Sequence, residues 1–183
     1  MAERVISGRY KGRNILGFDL DGTRPTMDRV KESLFAMIQS YLDGAICLDL
    51  FAGSGNLGIE ALSEGASFVY FCDHNHKAVK TIEKNAENIG IEDYKVLGMD
   101  YIKCLDYLMD NECSFDIIFL DPPYQTDYIE KSLKRIGDSS LLKDNGIIVC
   151  ESDSLDKIVY PDCFSCVKEK KYGDKNIVIL RKI

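Results

Sequence analysis

Short apolar runs alternate with stretches of helical period along most of this chain. In residues 27–42, Val30, Leu34, Met37, Ile38 and Tyr41 fall at i, i+4, i+7, i+8 and i+11, one face of a helix that Thr26 is placed to cap. Ala45-Ile46-Cys47-Leu48-Asp49-Leu50-Phe51 follows as a short buried strand, then a glycine turn and a helix to about Glu64. The alternation continues with strand 67–72, helix 76–89 on Ala78, Val79, Ile82, Ala86 and Ile89, strand 94–98, helix 101–109, strand 115–120, helix 127–137 and strand 146–150. This pattern predicts an α/β fold whose mostly parallel sheet is covered by helices on both faces, because parallel neighbours need a crossover connection. Past Glu151 the period changes. Phe164-Ser165-Cys166-Val167 and Asn176-Ile177-Val178-Ile179-Leu180 flank Tyr172-Gly173-Asp174-Lys175 and predict a C-terminal antiparallel β-hairpin, which brings the sheet to seven strands. Residues 4–17 read as a small strand pair broken at Gly8 and Gly12, a flap on the main body. The expected organisation is an N-terminal β extension over 1–20 and one catalytic domain over 21–183.

Composition narrows the setting. At 183 residues, 45% hydrophobic and 29% charged, the chain has room for one domain with a real core. Its seven cysteines are odd in number, and Cys47, Cys72 and Cys150 sit inside apolar runs, as free thiols do in a reducing cytoplasm. The first nine residues hold no apolar stretch of signal-peptide type, and no run approaches the length of a membrane span. A cytoplasmic protein is expected. The net charge of −7 argues against broad nucleic-acid binding, but it is unevenly spread. Residues 1–14 hold four basic groups against one acidic, residues 167–183 six against two, and the acid lies between them. Such a molecule presents a phosphate-binding edge and repels RNA elsewhere.

The chemistry starts at Asp49-Leu50-Phe51-Ala52-Gly53-Ser54-Gly55-Asn56-Leu57-Gly58. Gly53, Gly55 and Gly58 form a G-x-G-x-x-G between a strand and its helix, where side chains would hold a ligand off the backbone. Twenty residues on, Asp73 ends the next strand, the place from which a carboxylate accepts hydrogen bonds from both hydroxyls of a ribose. A turn and a helix cap would explain these residues without a ligand, but motif, context and acidic residue agree on a nucleotide-shaped cofactor. NAD and S-adenosylmethionine both satisfy them.

Strand 115–120 runs into Asp121-Pro122-Pro123-Tyr124, at the carboxyl edge where open α/β sheets bind ligands. Two prolines hold the backbone extended, so a carboxylate, a carbonyl and an aromatic ring stand side by side. An exocyclic amine on a flat base needs two acceptors to aim its lone pair and a ring to stack on. A small NAD-dependent oxidoreductase would leave this tetrapeptide idle.

Asp49 to Gly58 together with Asp121-Pro122-Pro123-Tyr124 resemble the motifs of class I S-adenosylmethionine-dependent methyltransferases that modify exocyclic amines. Arg4-Val5-Ile6-Ser7-Gly8-Arg9-Tyr10-Lys11-Gly12-Arg13 and Arg24-Pro25-Thr26-Met27-Asp28-Arg29-Val30-Lys31-Glu32-Ser33-Leu34-Phe35 resemble the opening of the RsmD family, which methylates N2 of a guanine in 16S ribosomal RNA. The resemblance implies a Rossmann-like methyltransferase fold, S-adenosylmethionine as cofactor with S-adenosylhomocysteine as product, and guanine 966 as target. It implies that Asp49, Phe51, Ala52, Gly53, Ser54, Gly55 and Asn56 surround the methionine part of the cofactor, with Asp73 at the ribose, His74 among the cofactor-binding residues, and Asp100 and Tyr101 at the adenine. Asp121 and the Pro122 carbonyl would hold the amine, with Pro123 fixing the turn and Tyr124 on the flipped base. Arg4, Arg9, Lys11, Arg13, Arg24, Thr26 and Arg29 would be the RNA-contact residues, and the partner implied is 16S rRNA, bare or in a small-subunit assembly particle. A monomer is expected, with no membrane and no metal.

Related tetrapeptides also serve methylation of adenine N6 and of a protein glutamine, which is the alternative reading. A DNA enzyme would need a target-recognition domain for which this chain has no room, and an RNA-binding module would not need the intact loop. Cys163-x-x-Cys166 reads as two thiols of a hairpin, since no second pair completes a zinc set. His76 opens a helix, and Lys168, Lys170, Lys171 and Lys175 read as a solvated edge-strand face.

Overall fold

Consecutive residues of a strand face opposite sides, so a strand buried on both faces must be apolar throughout and feed two cores. In this computed structural model, which describes residues 3–17, 28–124, 126–153 and 158–183, the central strands do this. Cys47, Ile117, Phe119, Ile147 and Val149 enter one core, and their neighbours Leu48, Ile118, Leu120, Ile148 and Cys150 enter the other. The first core is closed by α1 (Asp28–Leu42), α2 (Asn56–Ser63) and α3 (His76–Ile89), the second by α4 (Tyr101–Asp110) and α5 (Tyr128–Gly137).

After the two-residue strands β1 (Glu3–Arg4) and β2 (Asn14–Ile15), the chain lays down β3 (Ile46–Asp49), β4 (Phe68–Cys72), β5 (Tyr94–Leu97), β6 (Phe115–Leu120), β7 (Leu142–Asp153), β8 (Phe164–Tyr172) and β9 (Lys175–Lys182). These seven form one sheet in the order β5-β4-β3-β6-β7-β9-β8. β3 pairs in parallel with β4 and β6, and β6 with β7. β9 is antiparallel to β7 and to the edge strand β8. The chain steps from β3 outward to β4 and β5, then back across to β6, so the switch point lies at the carboxyl end of β3, where such sheets open a crevice. The expected fold class is the observed one. Among the described residues no helix is long and apolar enough to cross a membrane.

Three details depart from the sequence reading. β7 starts four residues earlier than expected, where Leu142 pairs with Phe115 of β6, and extends to Asp153, because its antiparallel partner β9 continues the ladder as far as Asp153 opposite Lys175. The hairpin strands are likewise longer than the apolar runs, which end where β8 turns outward. On that edge strand Lys168, Lys170 and Lys171 are exposed as expected, but Lys175 is 5% exposed and does not belong to the solvated face. It begins an interior strand and turns its ammonium inward. The helix cap assigned to Thr26 and the boundary between residues 20 and 21 lie outside the described residues.

The N-terminal segment closes on itself through Val5 N–H to the Arg13 carbonyl and Gly12 N–H to the Val5 carbonyl. It docks on the body at α2, where Arg9 N–H donates to the Ser63 carbonyl at 2.8 Å. Gly8 makes this approach possible. Its φ is +81°, and a Cβ there would stand 2.0 Å from the Ser63 oxygen.

Candidate active site

The strand register brings the acidic residues to one edge. Asp49, the last residue of β3, is level with Phe71 on one side and Phe119 on the other. Asp73 follows β4, Asp100 follows β5, Asp121 follows β6, and Glu151 lies one step past Cys150, the partner of Leu120. The acidic surplus of the chain's middle therefore gathers in part around the switch-point crevice.

Asp49 is buried, and one oxygen accepts from the Gly58 amide at 3.1 Å. Burial pushes its pKa up to about 7, the nearby Asp73 adds to the rise, and the Gly58 N–H opposes it. Gly53 and Gly55 take left-handed φ values of 57° and 85°, and Gly55 caps α2 with no side-chain bond, so of the first N–H groups of the helix that of Gly58 is met by Asp49 instead. Gly58 is required by packing instead, since a Cβ would stand 2.3 Å from the Phe71 ring. Asp73 ties the loop to the next strand by accepting from Gly53 N–H and Asn75 N–H, both at 2.9 Å. The cap of α3 is Asn75, not Asp73. His74 is exposed on the rim, 3.9 Å from Asp73. Ala52 is buried, and its N–H donates to the Cys72 carbonyl.

Asp100 caps α4 through Ile102 N–H, and Tyr101 beside it forms an aromatic wall with Phe51 and Tyr128. Phe51 and Tyr128 are nearly parallel, 6° apart, with centroids 5.9 Å from each other. Tyr128 was not singled out from the sequence, although the first turn of a helix directly after the tetrapeptide could have marked it.

On the other side of β3, Pro122 is buried, Asp121 and Tyr124 are half-buried, and Pro123 is exposed. Pro122, Pro123 and Tyr124 border a cavity of about 100 Å³ shared with Glu151, Ser152 and Ile158. Lys175 enters this neighbourhood from β9. Its ammonium pairs with Glu151 and interacts electrostatically with the Tyr124 hydroxyl and with Asp121. Burial alone would lower its pKa, but Glu151 first and then Asp121 more than reverse that. Neither Glu151 nor Lys175 was expected here: the first read as a strand end, the second as part of a solvated face.

The flap reaches the same loop from behind. Ser54 donates to the buried Glu3 at 3.1 Å, and burial raises the pKa of that carboxyl. Asn85 of α3 holds the Leu16 amide and carbonyl and the Ser54 carbonyl together. Lys31 bonds the Arg4 carbonyl and the side chain of Asn56, each at 2.7 Å. The amide nitrogen of Asn56 is buried with no partner among the described residues. Of the expected RNA-contact residues, Arg9, Lys11 and Arg29 are exposed, Arg4 pairs with Asp28 at 3.1 Å and Arg13 bonds the Asn88 carbonyl. Arg24 and Thr26 lie outside the described residues.

The chain matches the family model described as Conserved hypothetical protein 95 over residues 3–181. It is similar to YlbH of Bacillus subtilis, 38% identical across 98% of each chain. It is also similar to ribosomal RNA small subunit methyltransferase D of Haemophilus influenzae, 34% identical across 93% of this chain and 89% of that protein. Among solved structures, yhhF of Escherichia coli superposes with a TM-score of 0.87 at 27% identity, covering 100% of this chain and 98% of that one.

Proposed function

The chain belongs to the RsmD family of methyltransferases, and from that premise we propose that it moves a methyl group from S-adenosylmethionine to the N2 amine of one guanine in 16S rRNA, guanine 966. The observation that carries this reading is the juxtaposition of two half-sites on neighbouring strand ends. The glycine loop with Asp49 and Asp73 closes β3 and β4, and Asp121-Pro122-Pro123-Tyr124 closes β6. The first half fits the cofactor. Its loop is bare of side chains at Gly53 and Gly55, Asp73 is an acceptor for the ribose hydroxyls, Asp49 in its ionised form is an anionic partner for a sulfonium cation, and the Phe51, Tyr101 and Tyr128 rings offer a wall for adenine.

When bound, S-adenosylmethionine supplies an electrophilic methyl whose bond to sulfur breaks as its bond to the amine nitrogen forms. The chain's task is orientation. The lone pair of the guanine amine is delocalised into the ring, so acceptors on its two N–H groups, the Asp121 carboxylate and the Pro122 carbonyl, turn it toward the methyl. The two prolines keep the carbonyl from swinging away. Tyr124 stacks on the base drawn out of the RNA. The proton lost by the amine leaves by way of Asp121 or water.

Asp121→Ala is expected to reduce methyl transfer at least about 1,000-fold, while S-adenosylmethionine binding measured by calorimetry stays within a few-fold of normal. Gly53→Val, forced to a φ of 57°, should lose cofactor binding first. Equal loss of both functions in Asp121→Ala would overturn the division of roles. Mass mapping of small-subunit rRNA from cells lacking the gene tests the substrate: the expected result is one missing N2-methylguanine, and a complete set would overturn the assignment.

A further inference from the structure

We propose that the buried Glu151–Lys175 pair reads the remaining Watson–Crick edge of the target base and makes the site selective for guanine; this deepens the reading above and rests on it. At the end of the sheet three charged groups come from three adjacent strands in a fixed order. Asp121 follows β6, Glu151 lies in β7 one step past the partner of Leu120, and Lys175 opens β9 opposite Asp153. Across the strands the order is acceptor, acceptor, donor. The edge of guanine carries the N2 amine, the N1–H and the O6 carbonyl, which is donor, donor, acceptor. The two series are complementary in sequence and in sign.

The pair is placed to do this work. Glu151 lines the same cavity as Pro122, Pro123 and Tyr124. Lys175 bonds Glu151, lies within electrostatic reach of the Tyr124 hydroxyl, and is held charged by Glu151 and Asp121. The ammonium has three protons, enough for Glu151, Tyr124 and a carbonyl oxygen at once. An amine held by Asp121 brings N1–H toward Glu151 and O6 toward Lys175. Adenine meets the opposite pattern: its N1 is an acceptor facing a carboxylate, and it has no oxygen for the lysine. A site of buried, charged groups rejects such a mismatch far more strongly than an apolar pocket rejects a change of shape.

The test separates edge reading from amine reactivity. In 2,6-diaminopurine the 2-amine is kept, while N1 becomes an acceptor and position 6 a donor. A 16S rRNA carrying this base at the target, made by ligating a synthetic segment and assembled with small-subunit proteins, is compared with the guanine form. Wild-type enzyme is expected to favour guanine in kcat/KM by at least about 100-fold. Glu151→Gln, whose amide can donate to N1, should narrow that preference at least about tenfold with S-adenosylmethionine binding unchanged. Lys175→Met should slow guanine and leave diaminopurine no slower. Equal use of the two bases by the wild type would overturn the proposal without requiring any variant to fold. So would a Glu151→Gln enzyme that slows on both bases alike. Failure of the wild type to methylate the unmodified guanine would instead overturn the substrate reading, and this inference with it.

Discussion

Lys31 and Glu60 at the flap, and Lys175 and Glu151 at the cleft, are the same pair of groups in different company. Lys31 and Glu60 both have fully buried side chains, 2.9 Å apart. All three ammonium protons are taken, by Glu60, the Arg4 carbonyl and Asn56. Glu60 in turn receives the Ile6 and Ser7 amides of the flap. This pair is closed by the chain itself and fixes the flap backbone behind the glycine loop. Lys175 and Glu151 are almost as dry, yet their other neighbours are Asp121, Tyr124 and a cavity large enough for several waters. Burial alone does not distinguish a structural charge from a working one; what distinguishes these two pairs is whether they are enclosed by the chain or border a cavity.

The largest expected effect breaks the two pairs and compares the cost. Lys31→Met leaves Glu60 charged with no cation and no water, and should lose about 3–5 kcal/mol in urea unfolding. Replacing both partners, Lys31→Met with Glu60→Leu, should recover stability relative to the single variant, although Ile6 and Ser7 lose their acceptor. Lys175→Met opens onto the cavity, where water can reach Glu151, and should lose only about 1–2 kcal/mol. Equal losses would mean that the cleft pair is as structural as the flap pair.

The strand-and-helix alternation was legible because each central strand is apolar on both faces and each helix keeps one apolar stripe. The glycine loop, Asp73 and the tetrapeptide were legible because backbone conformation and chemistry are both local there. What escaped was non-local. Lys31 reads as one more charged residue on a helix, and only its pairing with residues 25 to 29 positions away makes it a fixed point. Lys175 resembles its solvated neighbours until β9 is known to lie between β7 and β8. Tyr128 joins Phe51 and Tyr101 only because three different connections end at one edge. Charge in the sequence carries no label for burial, and burial is set by which strands become neighbours.

Asp49 sharpens the comparison from a third position, as a buried carboxyl with an amide for a partner and no lysine. Its pKa of about 7 lies above the value in an unfolded chain, so folding favours the protonated form. Stability from this group is full below about pH 4 and is lost as pH rises through about 7. Asp49→Asn should flatten the dependence of the thermal midpoint on pH in that window and raise it by a few degrees at pH 8. Affinity for the cationic cofactor should run the other way, tightening up to about tenfold from pH 6 to pH 8 in the wild type and not in the variant. A wild-type affinity flat across that range would place the ionised Asp49 away from the cofactor's charge.

The smallest effect concerns the outer side of the flap. Its inner side is fixed by Lys31, Glu60, Asn85 and Ser63, so the exposed Arg9 and Lys11 stand on a rigid support, with Arg13 held at the Asn88 carbonyl. Groups already ordered lose little further entropy when they meet phosphates. If the basic flap is the RNA-contacting edge, replacing Arg9, Lys11 and Arg13 by Ala should weaken 16S rRNA binding and cut the slope of log affinity against log salt by about 2, the share of three phosphate contacts. Folding and cofactor affinity should not move. Lys31→Met, which loosens the support but keeps all three charges, should weaken binding by a smaller factor and leave the slope nearly intact. An unchanged slope in the triple variant would shift RNA contact to the lysines of β8, and the flap would then serve only to brace the loop.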